Sequence, residues 1–214
     1  MKYLSASILC CFIFLSSTVW GNKYYEGYLI TSSGEKKNGM IEMFYGYDSN
    51  INFKEHADGD KIKFKSVDLT EIGLYQLESS DTIVYRRHKA AAYTWGKTPK
   101  ISKDEIWAYE VYSSEQVQGF YSPLPQVMHN AGAIRSWQMF SGFVKLKGQD
   151  YILNIVDLDE GMSDPFNTYD KQMRKFFSNA IKDICPIMVE NIKKRKYKKE
   201  EFLIMLADYS ETCK

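Results

Sequence analysis

Apolar and polar residues alternate along most of the chain and fall at helical spacing only near its end. Between Asp170 and Cys213, the residues Met173, Phe176, Phe177, Ala180, Ile181 and Ile184 recur at steps of three and one. Lys171, Arg174, Lys175, Asn179 and Lys182 take the positions between them. This spacing predicts one buried face of an α-helix. The helix should stop near Cys185, because Pro186 disfavours the α conformation in the residue before it. Pro186 then suits the first turn of a shorter helix through Ile187, Val189 and Ile192, where a missing N–H costs nothing. Phe202, Leu203, Leu206 and Tyr209 predict a third helix ending near Glu211.

From Tyr24 to about Val156 the period drops to two. Tyr24–Thr31 is aromatic and β-branched, and Ser32-Ser33-Gly34-Glu35 reads as a turn into Met40–Tyr45. Ile51-Asn52-Phe53 and Ile62-Lys63-Phe64-Lys65 alternate on either side of the hairpin signal Asp58-Gly59-Asp60. Ile72–Tyr75, Thr82–Tyr85 and Ile106–Tyr112 are further strands, and Phe140–Leu146 with Tyr151–Val156 form a last hairpin. Two stretches break the pattern. Ala90-Ala91-Ala92 fits either a helical turn or a loop. Ser113–Gln138, with Pro123, Pro125 and Gly132, reads as a long irregular excursion, and segments of that length are often functional. The expected class is α+β: an antiparallel sheet, sandwich or open barrel over 22–164, then a cap of two to three helices over 165–214.

Residues 1–21 read as a secretory signal peptide. Lys2 precedes an apolar run from Ile8 to Leu15, and Val19 and Gly21 suit positions −3 and −1 of a cleavage site. The run is short for a membrane span, and no later segment approaches that length, so an integral membrane protein is not expected after cleavage. Removing Lys2 with the signal brings the +1 chain to zero net charge, which gives no case for a nucleic-acid partner. Cys10 and Cys11 leave with it, so Cys185 and Cys213 remain. They are either a disulfide closing a loop of about 29 residues or two free thiols. An oxidising destination favours the disulfide, with about 3–4 kcal/mol from the chain-entropy argument.

Several stretches together resemble uncharacterised secreted and envelope proteins of Gram-negative, Bacteroidota-like bacteria. They are Gly27–Ile30, Gly34-Glu35, Asn38–Ile41, Ile51–Lys54, Ile62–Phe64, Val67–Ile72, Phe176-Phe177, Asp183–Pro186, Tyr197, Tyr209 and Cys213. The resemblance implies an exported β domain with a helical C-terminus. It supplies no catalytic residue, and 88–138 departs from it.

No catalytic signature stands out. His56, His88 and His129 have no partner at helical spacing, and no Gly-x-Ser-x-Gly elbow or phosphate-cradling glycine loop occurs. No cofactor is expected. Asp157, Asp159 and Asp164 are a weak calcium candidate in an acidic loop, better read as the approach to the first helix with Asp164 or Asn167 as its cap. Lys193, Lys194, Arg195, Lys196, Lys198 and Lys199 form the densest basic run. They would contact an anionic surface, or simply keep a helix connection solvated. Trp95, Trp107, Tyr121, His129 and Trp137 are candidates for contact with a partner if exposed.

The expected function is therefore an exported, non-enzymatic protein that binds a protein or another envelope component, a periplasmic inhibitor being one version. The alternatives are a hydrolase of envelope glycan or peptide and a structural envelope subunit. A deep pocket with His88 or His129 beside acids would favour the hydrolase. An aromatic surface would favour binding.

Overall fold

The structure is a computed structural model. It describes residues 23–76, 81–93, 98–130, 133–158 and 168–214, the side chains of 124–130, 133–139 and 158 excepted. The expected signal segment, residues 1–21, and the capping candidates Asp164 and Asn167 lie outside the described residues.

The expected α+β class holds. Strands β1 (Tyr24–Thr31) and β2 (Lys36–Glu42) form the first hairpin, with Gly34 at φ 86° in its turn, a region open to glycine. β3 (Asn50–Lys54), β4 (Ile62–Lys65) and β5 (Leu69–Tyr75) follow. Then come β6 (Thr82–Tyr93), β7 (Pro99–Ser113), β8 (Val117–Asn130), β9 (Ala133–Leu146) and β10 (Ile152–Leu158). All ten belong to one sheet, in the order β10-β9-β8-β7-β6-β5-β1-β2-β3-β4.

β6 makes this sheet more than a meander. It pairs antiparallel with β5 from Thr82 to Arg86, and then parallel with β10 at Ala90↔Ile152 and Ala91↔Leu153. The second pairing closes β6 to β10 into a five-stranded barrel, and β5, β1, β2, β3 and β4 extend from it as an open sheet. Ala90-Ala91-Ala92 is therefore neither helix nor loop. The two buried alanines sit where a second strand docks: Ala90 faces the narrow lumen with Phe120 and Phe143, and Ala91 packs on the opposite face with the helices.

The expected irregular excursion is also corrected: it is two long strands, β8 and β9, in register from Val117↔Leu146 to Asn130↔Ala133. Its prolines obscured the alternation, and their placement has a physical account. β7 and β8 pair through Tyr109↔Tyr121, and the same register would set Trp107 against Pro123. Pro123 has no N–H to give, and proline is tolerated where a ladder ends. Gly46, from the loop after β2, enters the gap. It donates its N–H to the Pro123 carbonyl at 2.7 Å, and its carbonyl accepts from the Trp107 N–H at 2.8 Å. The Ser122 hydroxyl donates to the Trp107 carbonyl at 2.7 Å, so each of these buried groups is paired.

Alternation sorts the apolar residues into three cores. Ala90, Ile106, Ala108, Phe120, Phe143 and Ile152 fill the barrel. Leu29, Ile41, Phe53, Ile72, Tyr85 and Trp107 pack within the sheet extension. Val117, Val144, Leu153 and Val156 turn outward to meet the helices.

The helices are α1 (Thr168–Ile181), α2 (Pro186–Arg195) and α3 (Phe202–Thr212). α1 buries Met173, Phe177 and Ile181, and Pro186 opens α2 at its first turn as expected. Ile184 is not on the buried stripe. α1 ends at Ile181, whose carbonyl accepts from both Ile184 and Cys185 N–H, and the turn leaves Ile184 60% exposed. In α2 the buried residues are Met188 and Ile192, with Ile187 outside. Cys185 and Cys213 are joined in a disulfide, Cα atoms 5.8 Å apart, tying the start of α2 to the end of α3. Among the described residues no helix is long and apolar enough to cross a membrane.

Candidate functional site

Two clefts flank the β5–β6 hairpin, one on each face of the sheet. Neighbouring β6 residues point to opposite faces, so Tyr85 borders one cleft while Val84, Arg86 and His88 border the other, and Ile83 reaches both.

The first cleft is an aromatic groove of about 410 Å³ at the seam between barrel and extension. Tyr25 reaches it from β1, Phe44 from the loop after β2, Tyr85 from β6, Tyr109 from β7 and Phe140 from β9. Their rings meet edge to face, with centroids 5.0 Å apart for Phe44–Tyr85, 5.1 Å for Tyr85–Tyr109 and 6.3 Å for Tyr109–Phe140. Such tilted pairs are the favoured arrangement of aromatic quadrupoles and hold the wall rigid. Exposed Tyr75 and Gln76 form part of its rim. Burial, with Tyr109 and Tyr25 nearby, pushes the Tyr85 phenol well above its usual range, so it remains a neutral hydrogen-bonding group. The groove offers apolar area and phenol hydroxyls, and among the described residues no carboxylate, histidine or thiol lines it.

The second cleft, of about 570 Å³, is polar and opens at the barrel mouth. His88 packs against Phe120 in a tilted contact with ring centroids 4.8 Å apart. Burial first, then Lys145 and Arg86, lower its pKa to about 4, so the ring is neutral at neutral pH. Arg86 is held by Glu71, which accepts from its Nε at 3.0 Å and its Nη2 at 2.8 Å. Glu110 accepts from Gln118 at 2.7 Å.

The residues singled out from sequence fare differently. Trp107 is 1% exposed and donates its Nε1–H to the Ser66 hydroxyl at 3.2 Å. It is a core residue and faces no partner, because it lies under the Gly46 loop. Tyr121 is half-buried, in a line of rings from Phe140 at 6.3 Å to Phe202 of α3 at 5.8 Å. His129 and Trp137 lie on β8 and β9, opposite Ile134 and Gln126, with side chains outside the described residues. Trp95, Asp159 and Asp164 also lie outside them. Asp157 accepts hydrogen bonds from Ser141 and, at 3.4 Å, from Asn154. Among the described residues no group of three or more histidine, cysteine or carboxylate side chains could hold a metal ion.

Part of the basic run is ion-paired within the cap. Lys193 pairs with Glu190 at 2.6 Å, and Arg195 pairs with Asp208 at 2.5 Å. Lys196 closes α2 in the left-handed conformation at φ 57°. The backbone N–H of Lys198 donates to Glu201 at 2.9 Å, and that of Lys199 to Asp170 at 2.8 Å. Lys194, Lys196 and Lys198 are exposed, Lys194 at a shallow cleft between α2 and α3.

Sequence reading missed the groove residues Tyr25, Phe44, Tyr85, Tyr109 and Phe140 as a set. The alternation of Tyr85 with Arg86 and His88 was the available signal that β6 has two differently used faces. Comparison with protein-family models, with curated proteins and with solved structures finds no match for this chain.

Proposed function

We propose that the protein is exported and acts by binding, taking apolar side chains of an envelope protein into the groove lined by Tyr25, Phe44, Tyr85, Tyr109 and Phe140. One observation carries this reading: a preformed, solvent-open groove walled by aromatic side chains from four strands and the loop after β2. Its volume of about 410 Å³ lies toward the small end of ligand pockets. Rigid aromatic walls of this kind anchor the few side chains that dominate a protein interface. The Cys185–Cys213 bond supports an oxidising compartment, in keeping with the signal-like start of the chain and its resemblance to secreted proteins of Gram-negative bacteria. A periplasmic inhibitor is one form this role would take.

The hydrolase alternative would use carboxylates or a histidine gathered by the fold, and a form working through His88 would want an acid acting on that ring. The charges that act on His88 are Lys145 and Arg86, both cations, which weakens the histidine-dependent form of that alternative.

The test is site-specific photo-crosslinking in cells. A photoreactive side chain at Tyr75, on the groove rim, should give one dominant adduct with another protein. The same group at Ile204, exposed on α3, should not. Self-adducts alone would point to a structural subunit. No adduct from Tyr75, or the same adduct from both positions, would overturn the groove as the binding site.

A further inference from the structure

The far parts of β8 and β9 carry an inference independent of the groove. β7 pairs with β8 from Tyr109↔Tyr121 to Ser113↔Gln118, and β10 pairs with β9 from Leu153↔Val144 to Leu158↔Phe140. Gly46 fills the gap at Pro123. Beyond that point β8 and β9 continue together for seven pairs, Leu124↔Met139 to Asn130↔Ala133. At about 3.4 Å per residue, this ribbon runs about 20 Å past the sheet. Among the described residues no third strand pairs with either of its edges. A two-stranded ribbon is marginal in water and needs a further surface to cover its apolar positions.

The register and the period of two place those positions on both faces. Leu124, Met128, Trp137 and Met139 share one face, and Val127 and Ile134 fall on the other. No Asp or Glu occurs from Gln116 to Gln149, although the chain holds 27. Arg135 is the only Lys or Arg of the ribbon and stands two residues from Trp137, on the same face. Lys145 and Lys147 belong to the opposite end of β9, near Asp150 and Glu115. At the ribbon's base Asp157 is in register with Ser141 and is bonded by Ser141 and Asn154.

We propose that this ribbon docks on a phospholipid bilayer, lying in the layer between head groups and acyl chains. A protein surface would cover one of its faces and leave the other wet, whereas that layer surrounds both. Trp is favoured at head-group depth, and an arginine there meets lipid phosphate with no acid of the ribbon to compete. The open edges exclude a deeper position, because unpaired backbone N–H and C=O groups cannot enter the hydrocarbon. The docked protein would stay peripheral, held by apolar area and one cation.

The test is flotation of residues 22–214, disulfide intact, so that the apolar run at the start of the chain does not itself bind lipid. One set of vesicles is phosphatidylcholine, and the other is equal parts phosphatidylcholine and phosphatidylglycerol. The protein should float with both, and more with the second. Ile134→Ser combined with Trp137→Ser should lower partitioning about tenfold in both. Thermal unfolding should hold, since the ribbon lies beyond the barrel. Arg135→Gln should weaken binding to the anionic vesicles about fivefold and to the others little. Ile187→Ser, at an exposed apolar position of the cap, should change neither. Lipids brominated on their acyl chains should quench the tryptophan fluorescence, and less so in Trp137→Phe. No flotation with either vesicle, or flotation and quenching unaltered in the folded variants, would overturn the proposal. A dimer lost in the double variant, without flotation, would make the occupant a second copy and overturn it too.

Discussion

The Trp107 N–H and the Gly46 carbonyl meet at 2.8 Å, and that bond stands in for one that β7 and β8 do not make. Gly46 acts as a one-residue strand between them, returning its own N–H to Pro123. This position has no room for a side chain: a Cβ on Gly46 would lie 2.0 Å from the Ser122 hydroxyl and 3.3 Å from the Trp107 carbonyl. The hydroxyl cannot simply rotate away, because it satisfies the Trp107 carbonyl. We expect Gly46→Ala to destabilise the protein by about 2–3 kcal/mol, within the range of overpacked cores. Combining it with Ser122→Ala should cost less than the sum of the two single changes, since the second removes the atom that clashes. Urea denaturation of the four proteins checks both statements.

How much of this was legible in the sequence depends on how far apart the interacting residues lie. The β1–β2 hairpin, the β3–β4 pair and the α1 stripe rest on neighbours a few residues away, and spacing alone predicts them. The disulfide was favoured because export leaves two cysteines to pair. The barrel was not legible, because its closure pairs Ala90 with Ile152. Alanines in a strand carry no β signal of their own, and their placement is decided by the strand that docks on them. Pro123 and Pro125 hid β8, and the tolerance of Pro123 depends on Gly46, distant in sequence. The aromatic groove was hidden for the same reason: nothing local connects Tyr25 to Phe140.

The disulfide should matter to stability more than to the shape of the helices. Cys185 and Cys213 are 28 residues apart, and closing such a loop contributes about 2–4 kcal/mol, chiefly by restricting the unfolded chain. Cys213→Ser should lower the denaturation midpoint accordingly, with helical circular dichroism retained at low urea. Mass spectrometry after alkylation without reduction should find neither cysteine of the pair labelled in the wild type.

His88 predicts a particular pH dependence. Its folded pKa of about 4 lies below the ordinary value of 6.5, so between these limits the unfolded chain binds the proton and the folded chain does not. Stability should therefore fall as pH drops from about 6.5 to 4, and this residue should contribute no slope above that window. The ring is partly exposed, which limits the loss to about 1–2 kcal/mol. Subtracting the stability of His88→Gln from that of wild type at each pH isolates the contribution. A difference that stays flat from pH 7 to 4.5 would mean the imidazole is not desolvated as placed.

The cap should depend on the packing of α1 against the barrel. Phe177 is fully buried and meets Tyr209 of α3 at 5.5 Å between ring centroids, so it holds both helices. Phe177→Ala should cost about 3–5 kcal/mol. Lys175→Ala, one turn face away and exposed, should stay within about 0.5 kcal/mol. Thermal unfolding of the two variants gives the comparison.

The groove has the most direct functional consequence, and Tyr75 separates binding from folding there. It is 42% exposed on the rim and touches the body chiefly through a loose ring contact with Tyr28 at 6.2 Å. Removing it should leave stability within about 0.5 kcal/mol, as for other surface positions. A rim aromatic that closes over an anchoring side chain is worth about 1–2 kcal/mol at an interface. Tyr75→Ala should thus weaken the partner identified by cross-linking about tenfold in a direct binding titration. Tyr85→Phe gives the complementary measurement inside the groove, where the ring keeps its packing against Phe44 and Tyr109 and only the phenol hydroxyl is lost. Equal weakening by the two would mean the groove recognises a polar group through Tyr85. Loss with Tyr75→Ala alone would mean that apolar anchoring carries the interaction.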